Sequence, residues 1–298
     1  MSKLEIRGSI PALVTPFTNT GAIDYSAFGK LIDWHMEQGS DALVLSGTTG
    51  ESATISREEQ AEVLRFGLDR VRCRVPVIAG TGANSTQEAI ILAKDAKNCG
   101  ADAHLSVVPY YNKPNQQSIF AHFEAIALSV DLPLILYNVP GRTVADMSTE
   151  TAVRLAHLPR IIGLKDATGD IERGAQTIRD VPAGFSVYSG DDGTAAALML
   201  MGAQGTISVT ANVAPALMHD LCAAALRGDV AETRKTNDRL ADLHKAVFAD
   251  TNPAPVKWAL MRMGFINNEM RLPLTPMRKE FNGLMERAMK EAGIDLTA

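Results

Sequence analysis

Cysteine is scarce in this chain: Cys73, Cys99 and Cys222 are the only three. They are odd in number, far apart and never in a Cys-x-x-Cys pair. That excludes a disulfide framework and argues against a zinc ribbon or finger. Long apolar runs are also missing. The longest are strand-sized, well short of the ~18 residues that a membrane-spanning helix needs. The segment 1–10 carries Lys3, Glu5 and Arg7 and lacks an apolar signal core. Reduced thiols in a cytoplasmic protein are the resulting expectation.

Positive charge is never concentrated. The formal net charge is -5, and no Lys/Arg cluster reads as a footprint for a phosphate backbone, so no nucleic-acid partner is expected. The six histidines, His35, His104, His122, His157, His219 and His244, do not fall into metal-ligand groupings with Asp or Glu. No metal is expected, and a metal-dependent aldolase is disfavoured. There is no Gly-x-Gly-x-x-Gly after a strand and no P-loop. Gly80-Thr81-Gly82-Ala83-Asn84 is a loose echo of a dinucleotide turn and reads better as a strand-to-helix loop.

What is present is alternation. Eight short apolar segments have strand character: Ser9–Phe17, Ala42–Gly47, Pro76–Ala79, Ala103–Pro109, Pro133–Tyr137, Ile161–Lys165, Phe185–Ser189 and Gly205–Thr210. Between them lie segments with apolar residues at three- and four-residue intervals. These are Ala27–Glu37, Arg57–Val71, Gln87–Cys99, Ser118–Ser129, Thr149–Leu158, Ile171–Arg179, Thr194–Met201 and Pro215–Leu226. Ile171–Arg179 carries the weakest helical pattern. Ser56 and Ser148 stand before acidic residues as helix caps, and Gly100 and Gly202 mark helix ends. Strand–helix alternation implies parallel pairing through right-handed crossovers. Continuous apolar strands suit a sheet covered on both faces.

The α/β chain of 298 residues is therefore expected to form a (β/α)8 TIM barrel over residues 1–228, since such barrels take about 250 residues. A doubly wound open sheet is the structural alternative. Beyond Gly228 the strands cease. Asp229–Ala249, Val256–Met263 and Met277–Ala292 read as helices, separated by Pro253, Pro255, Pro273 and Pro276. Residues 229–298 are expected to be a C-terminal helical extension, packed on the barrel or serving an oligomer contact.

A barrel places its active site at the C-terminal ends of its strands, and reactive side chains collect there. The second strand runs into Gly47-Thr48-Thr49-Gly50-Glu51, a candidate carboxylate cradle or an ordinary tight turn. The fourth ends in Pro109-Tyr110-Tyr111-Asn112-Lys113-Pro114 and the fifth in Tyr137-Asn138-Val139-Pro140-Gly141-Arg142, so three of only five tyrosines sit at two strand ends. A phenol there can pack its ring and keep its hydroxyl wet, or move protons. The sixth is Ile161-Ile162-Gly163-Leu164-Lys165-Asp166. A lysine closing an apolar strand is desolvated, which favours the neutral amine that forms imines. It can also snorkel outward or pair with Asp166. The seventh ends in Ser189-Gly190-Asp191-Asp192; Gly190 allows a substrate to approach the backbone, and the aspartates read as helix caps.

Together, Gly47–Glu51, Tyr137–Thr143 and Gly163–Gly169 resemble the 4-hydroxy-tetrahydrodipicolinate synthase family, long called dihydrodipicolinate synthase, among the pyruvate-dependent Schiff-base aldolases and lyases. The likeness runs from Gly8 to about Pro276. Pro109–Pro114, Ser189–Asp192, Ile207–Asn212 and Asn252–Trp258 match as well. The resemblance implies a (β/α)8 barrel with a C-terminal helical domain. It also implies condensation of pyruvate with L-aspartate 4-semialdehyde, the entry to diaminopimelate and lysine. It makes Lys165 the imine-forming amine, with no other cofactor. Thr48 and Thr49 would hold the pyruvate carboxylate and Tyr137 would be the general acid/base. Thr49, Tyr137 and Tyr111 would form a proton relay in which Tyr111 enters from a neighbouring subunit. Arg142 would grip the semialdehyde carboxylate, and Gly190 and Ile207 would line the pocket. A homotetramer, a dimer of dimers, is implied.

Sister enzymes share the lysine and the tyrosine. Sialate lyases typically carry Gly-Ser-Thr-Gly-Glu and lack an arginine at the Arg142 position, so Thr48 and Arg142 favour the synthase over sialate or keto-deoxy-sugar lyases. A barrel that binds a keto acid without chemistry would lack part of the lysine, tyrosine and threonine set, which is complete here. A lysine effector site is implied at Ser52, Ala53, Asn84, Glu88 and Tyr110. Arg57 and Gln60 stand where lysine-sensitive enterobacterial forms carry histidine.

Overall fold

The computed structural model describes residues 5–296. Eight parallel strands form one sheet: β1 (Gly8–Pro11), β2 (Leu43–Leu45), β3 (Val77–Gly80), β4 (Ala103–Val107), β5 (Leu134–Asn138), β6 (Ile161–Asp166), β7 (Ser186–Ser189) and β8 (Gly205–Ser208). Their order is β1-β8-β7-β6-β5-β4-β3-β2. The ends meet through a parallel bridge between Ala12 and Val44 and a bond from Leu13 N–H to Val44 O of 2.9 Å. The sheet is thus a barrel rather than an open doubly wound sheet. The apolar segment Ser9–Phe17 outlasts β1, and its remainder, including Val14 and Phe17, is buried above the strand end.

Helices cover the outside: α1 (Tyr25–Glu37), α2 (Arg57–Val71), α3 (Thr86–Cys99), α4 (Gln116–Ser129), α5 (Pro140–Thr143), α6 (Thr149–Ala156), α7 (Ile171–Asp180), α8 (Asp192–Leu200) and α9 (Pro215–Leu226). Their starts are chemically marked. Ser56 and Glu59 form a reciprocal capping box on α2, and Ser148 caps α6. Asp191 caps α8 through Thr194 N–H at 3.0 Å, as expected. The helix α7 is formed in full, capped by Asp170, and its apolar residues Ile171 and Ile178 share one side packed against the cluster of Leu198, Met199 and Cys222.

Three further helices follow: α10 (Val230–Ala246), α11 (Ala254–Arg262) and α12 (Asn282–Ala292). The last begins later than the pattern from Met277 predicts, after a turn of 3₁₀ helix at Lys279–Phe281. Leu240, Leu243, Val247, Trp258, Leu260 and Met285 join the same buried cluster as Leu13, Leu43, Leu45 and Val63. The extension therefore shares its core with the first strands and helices of the barrel. A second cluster fills the barrel interior, with Ile10, Val44, Ile78, Leu105, Ile135, Tyr137, Tyr188 and Ile207. Among the described residues, no helix is long and apolar enough to cross a membrane.

Candidate active site

Parallel neighbours in direct register point their side chains to the same face of a sheet. Lys165 of β6 is paired with Tyr137 on β5 and with Tyr188 on β7, and both tyrosines belong to the barrel interior. The lysine therefore points inward. Its side chain is covered, with the residue 5% exposed, and Nζ lies 4.4 Å from the centroid of the Tyr137 ring. Among the described residues it makes no ion pair. Asp166, its sequence neighbour, instead accepts from Thr168 N–H at 3.0 Å. The reading in which Lys165 pairs with Asp166 does not hold.

Burial is the dominant influence on the amine. Desolvation lowers the Lys165 pKa to about 8, the Asp192 carboxylate pulls it back up, and the Arg142 guanidinium pushes it further down. The ring face of Tyr137 would favour an ammonium, but loss of water outweighs it. Tyr137 shifts the other way: burial raises its hydroxyl to about 12, with Arg142 opposing. At neutral pH the pair is thus a phenol that keeps its proton beside an amine that readily gives its own up.

Gly190 follows β7, and its role is steric. A Cβ there would lie 2.8 Å from Lys165 Cε and 2.7 Å from Ala167 Cβ. Its N–H donates to Asp166 O at 2.6 Å, locking the turn against the lysine strand. Ile207 is fully buried on β8 in the interior cluster.

Arg142 sits on the short helix α5, which the sequence pattern did not reveal. Pro140 occupies its first turn, where a missing N–H costs nothing. Thr143 Oγ1 ties the turn to Val139 O at 3.1 Å and Ala145 O at 2.7 Å. Asn138, the last residue of β5, donates to Asp146 Oδ1 at 2.8 Å and accepts from Met147 N–H at 3.0 Å. Arg173 grips both Asp146 oxygens. The Arg142 backbone is thereby fixed while its side chain stays exposed. The guanidinium influences both Lys165 and Tyr137, so it belongs to the same mouth.

The cradle after β2 is a constrained stretch of backbone. Ser46 and Glu51 flank it with φ of 54° and 57°, a region that non-glycine residues seldom occupy. Thr15 Oγ1 donates to Gly50 O at 2.8 Å, and Glu51 N–H to Thr48 O at 3.0 Å. Thr48 is exposed and Thr49 buried. The Thr49 hydroxyl meets Asn252 Nδ2 at 3.0 Å. Glu51 is held by Lys257, whose Nζ also donates to Glu269 O at 2.8 Å. Both members of that ion pair have no exposed side-chain surface.

Tyr111 lies apart. It is 88% exposed, with φ 74°, on the loop after β4. No hydrogen bond joins it to Tyr137 or Thr49 within this chain's described residues. Asn112 Nδ2 donates to Asn84 O at 2.9 Å, tying the Tyr110–Tyr111 loop to the loop after β3. Ser52 and Ala53 form a 3₁₀ turn beyond the cradle, and Glu88 is an exposed residue in the first turn of α3. Arg57 pairs with Asp95, and Gln60 is buried with Nε2 donating to Gly80 O at 2.5 Å.

Three polar groups of this region, Asp192, Asn252 and Lys257, have contacts that the sequence pattern does not reveal. Asp192, a cap candidate in the sequence, is instead buried and accepts from Val209 N–H at 3.0 Å and Thr210 N–H at 2.8 Å. It ties the start of α8 to the end of β8 and lies close enough to act on Lys165. Asn252 and Lys257 lie in the extension, with no local pattern to betray their contact with the cradle.

The dihydrodipicolinate synthetase family model matches residues 5–292. A curated relative from Azoarcus sp. (strain BH72), a 4-hydroxy-tetrahydrodipicolinate synthase, is 56% identical over 289 residues, covering 97% of this chain and 99% of that one. The protein of the same name from Polynucleobacter asymbioticus is 57% identical, covering 98% of this chain and 97% of its own length. Among solved structures, the chloride-inhibited dihydrodipicolinate synthase of Acinetobacter baumannii, complexed with pyruvate, superposes with a TM-score of 0.96 at 52% identity, covering 98% of this chain and 100% of that one. The barrel, the inward lysine and this likeness along nearly the whole length agree, and the chain belongs to the dihydrodipicolinate synthetase family.

Proposed function

We propose that the chain condenses pyruvate with L-aspartate 4-semialdehyde through an imine on Lys165. The observation that carries this reading is the buried, partly neutral Lys165 amine set over the Tyr137 ring, with Arg142 at the same mouth. The amine adds to the pyruvate carbonyl carbon, and Tyr137 supplies the proton with which the carbinolamine oxygen leaves as water. The protonated imine withdraws electrons, so the methyl group gives up a proton and becomes an enamine. The enamine carbon then bonds to the aldehyde carbon of the semialdehyde, and the new alkoxide takes a proton. Attack by the amino group of the semialdehyde portion on the imine carbon closes the ring and releases Lys165.

Thr48 and Thr49 hold the pyruvate carboxylate, and Arg142 holds that of the semialdehyde as a planar fork. Gly190 and Ile207 shape the pocket. The Thr49–Tyr137–Tyr111 relay requires Tyr111 from a second copy, which its exposure in the single chain supports. A homotetramer built from such dimers is the assembly this reading calls for, with residues 1–228 as the catalytic barrel and 229–298 as the extension. Ser52, Ala53, Asn84, Glu88 and Tyr110 remain the candidate effector site for lysine.

The test is to incubate the protein with pyruvate, reduce with borohydride, digest it and locate the modified peptide by mass spectrometry. A pyruvate-derived adduct on Lys165 is expected. Its absence in folded protein overturns the imine route.

A further inference from the structure

The cradle that closes on the substrate carboxylate is held from outside the barrel. Two residues of the segment leading into and along α11 reach it: Asn252 bonds Thr49, and Lys257 bonds Glu51. The Asn252–Thr49 contact spans 203 positions of sequence and is buried on both sides. Thr49 is 3% exposed and Asn252 is 5% exposed.

A threonine hydroxyl has one proton to donate and two lone pairs to accept with. Asn252 Nδ2 donates to Thr49 Oγ1 at 3.0 Å and so occupies a lone pair. The hydroxyl proton is left to point elsewhere. A carboxylate accepts hydrogen bonds and donates none, so a site for one needs its hydroxyls turned proton-outward. The opposite polarity, with the hydroxyl donating to the asparagine oxygen, would present lone pairs to the anion. Donation from the amide also polarises the hydroxyl and strengthens the bond it gives in turn.

A second observation points the same way. Asn252 Oδ1 is buried and has no partner among the described residues. A buried, unpaired amide oxygen is unfavourable for the fold, and an apolar residue would avoid it. In this residue the nitrogen end of the amide is the end that makes a bond, and it makes it to Thr49.

We propose that Asn252 is a positioning residue for the keto-acid donor: its side-chain amide fixes the Thr49 oxygen so that the Thr49 hydroxyl proton is presented to the substrate carboxylate. This rests on the assignment of Thr49 to carboxylate binding made above. The ion pair of Lys257 with Glu51 sets where the cradle backbone lies; Asn252 sets which way one of its hydroxyls faces.

Asn252→Asp keeps the size and offers the hydroxyl an acceptor in place of the donor. The KM for pyruvate should rise about tenfold or more. The pyruvate concentration that gives half-maximal borohydride trapping on Lys165 should shift by the same factor. The melting temperature and kcat should change far less. An Asp variant that is folded and has a pyruvate KM within about twofold of the parent overturns the proposal. A double-mutant cycle gives an independent reading that does not depend on the Asp variant folding. Asn252→Ala should raise the pyruvate KM in the parent and leave it unchanged when Thr49→Val is already present. Additive effects would place the action of Asn252 somewhere other than Thr49 and overturn the proposal. If the unaltered protein traps no pyruvate, the catalytic reading falls and this one with it. If it traps pyruvate and the Asn252 variants match it, only the present inference falls.

Discussion

Lys165 Nζ stands 4.4 Å from the centroid of the Tyr137 ring, on adjacent strands in direct register. The two groups are displaced from their ordinary titration in opposite directions by the same cause. Burial disfavours the ammonium and the phenolate alike. The lysine falls to about 8 and the tyrosine rises to about 12. An amine ready to attack a carbonyl is thus packed against a hydroxyl that still has a proton to give, with no metal ion required to create either state.

The rate of pyruvate capture should follow the neutral form of Lys165. It should climb as pH rises toward about 8 and level off above it. Tyr137 keeps its proton up to about 12, so deprotonation of that phenol produces no falling limb in the ordinary range. Borohydride trapping at subsaturating pyruvate, measured from pH 6 to pH 10, reads this directly. A midpoint near the ~10.4 of a free lysine would show that burial does not tune the amine.

The same shift has a consequence for stability. The folded lysine titrates near 8 and the unfolded one near 10.5, so the unfolded chain binds more protons between those values. The penalty is full below pH 8 and vanishes above 10.5. Lys165→Met should therefore stabilise the fold at pH 7 by roughly 3 kcal/mol while abolishing turnover. Its advantage should shrink at pH 9.5. Denaturant unfolding of both proteins at the two pH values checks this, and a constant difference would contradict it.

Gly190→Ala tests the steric side of the site. The added methyl would lie 2.8 Å from Lys165 Cε and 2.7 Å from Ala167 Cβ, so the lysine stem has to move. A misplacement of about 1 Å costs on the order of a hundredfold in turnover. The variant should retain its far-ultraviolet circular dichroism and lose kcat by that factor. Near-normal turnover would mean that the lysine has room the structure does not show.

Arg142 acts at two distances. Its charge lowers both the Lys165 and Tyr137 pKa values, and its fork is assigned to the second substrate. Arg142→Ala should raise the semialdehyde KM about 10- to 100-fold and move the trapping midpoint above 8. Arg142→Lys should keep the midpoint and still raise the KM, because the charge survives and the fork does not. If Ala leaves both quantities unchanged, Arg142 has neither role.

The barrel was legible because each strand announces itself as an apolar run between helical periods, and Lys165 because a charge ends one such run. Arg142 was legible as a residue but its helix α5 was not, since four residues carry no periodicity; only Pro140 in the first turn hinted at it. Asp192 looked like a cap beside Asp191, and nothing local separates a capping aspartate from one whose carboxylate reaches the end of β8. The contacts of Asn252 and Lys257 join positions more than two hundred residues apart. Lys257 also donates to the Glu269 carbonyl twelve positions on, but the contacts of both residues with the cradle arise only when the chain is folded.

The Lys257–Glu51 pair offers the sharpest test of how far the extension supports the site. Both side chains are wholly buried. Burial lowers the Lys257 pKa while Glu51 opposes the shift. Glu51 also accepts from Arg271 N–H at 3.2 Å, and Lys257 Nζ lies 4.2 Å from the Phe17 ring centroid. Removing one partner leaves the other charge uncompensated in a dry site. Lys257→Met should cost roughly 3–5 kcal/mol and lower the melting temperature by something on the order of 5–10 °C. Glu51→Gln combined with Lys257→Met should recover part of that loss, since no charge is then stranded. Because Glu51 closes the cradle at φ 57°, the single variant should also bind pyruvate more weakly at temperatures where it remains folded. A melting temperature within a degree of the parent would mean that water or another group compensates Glu51, and the extension would then be a cover for the barrel rather than a brace for its cradle.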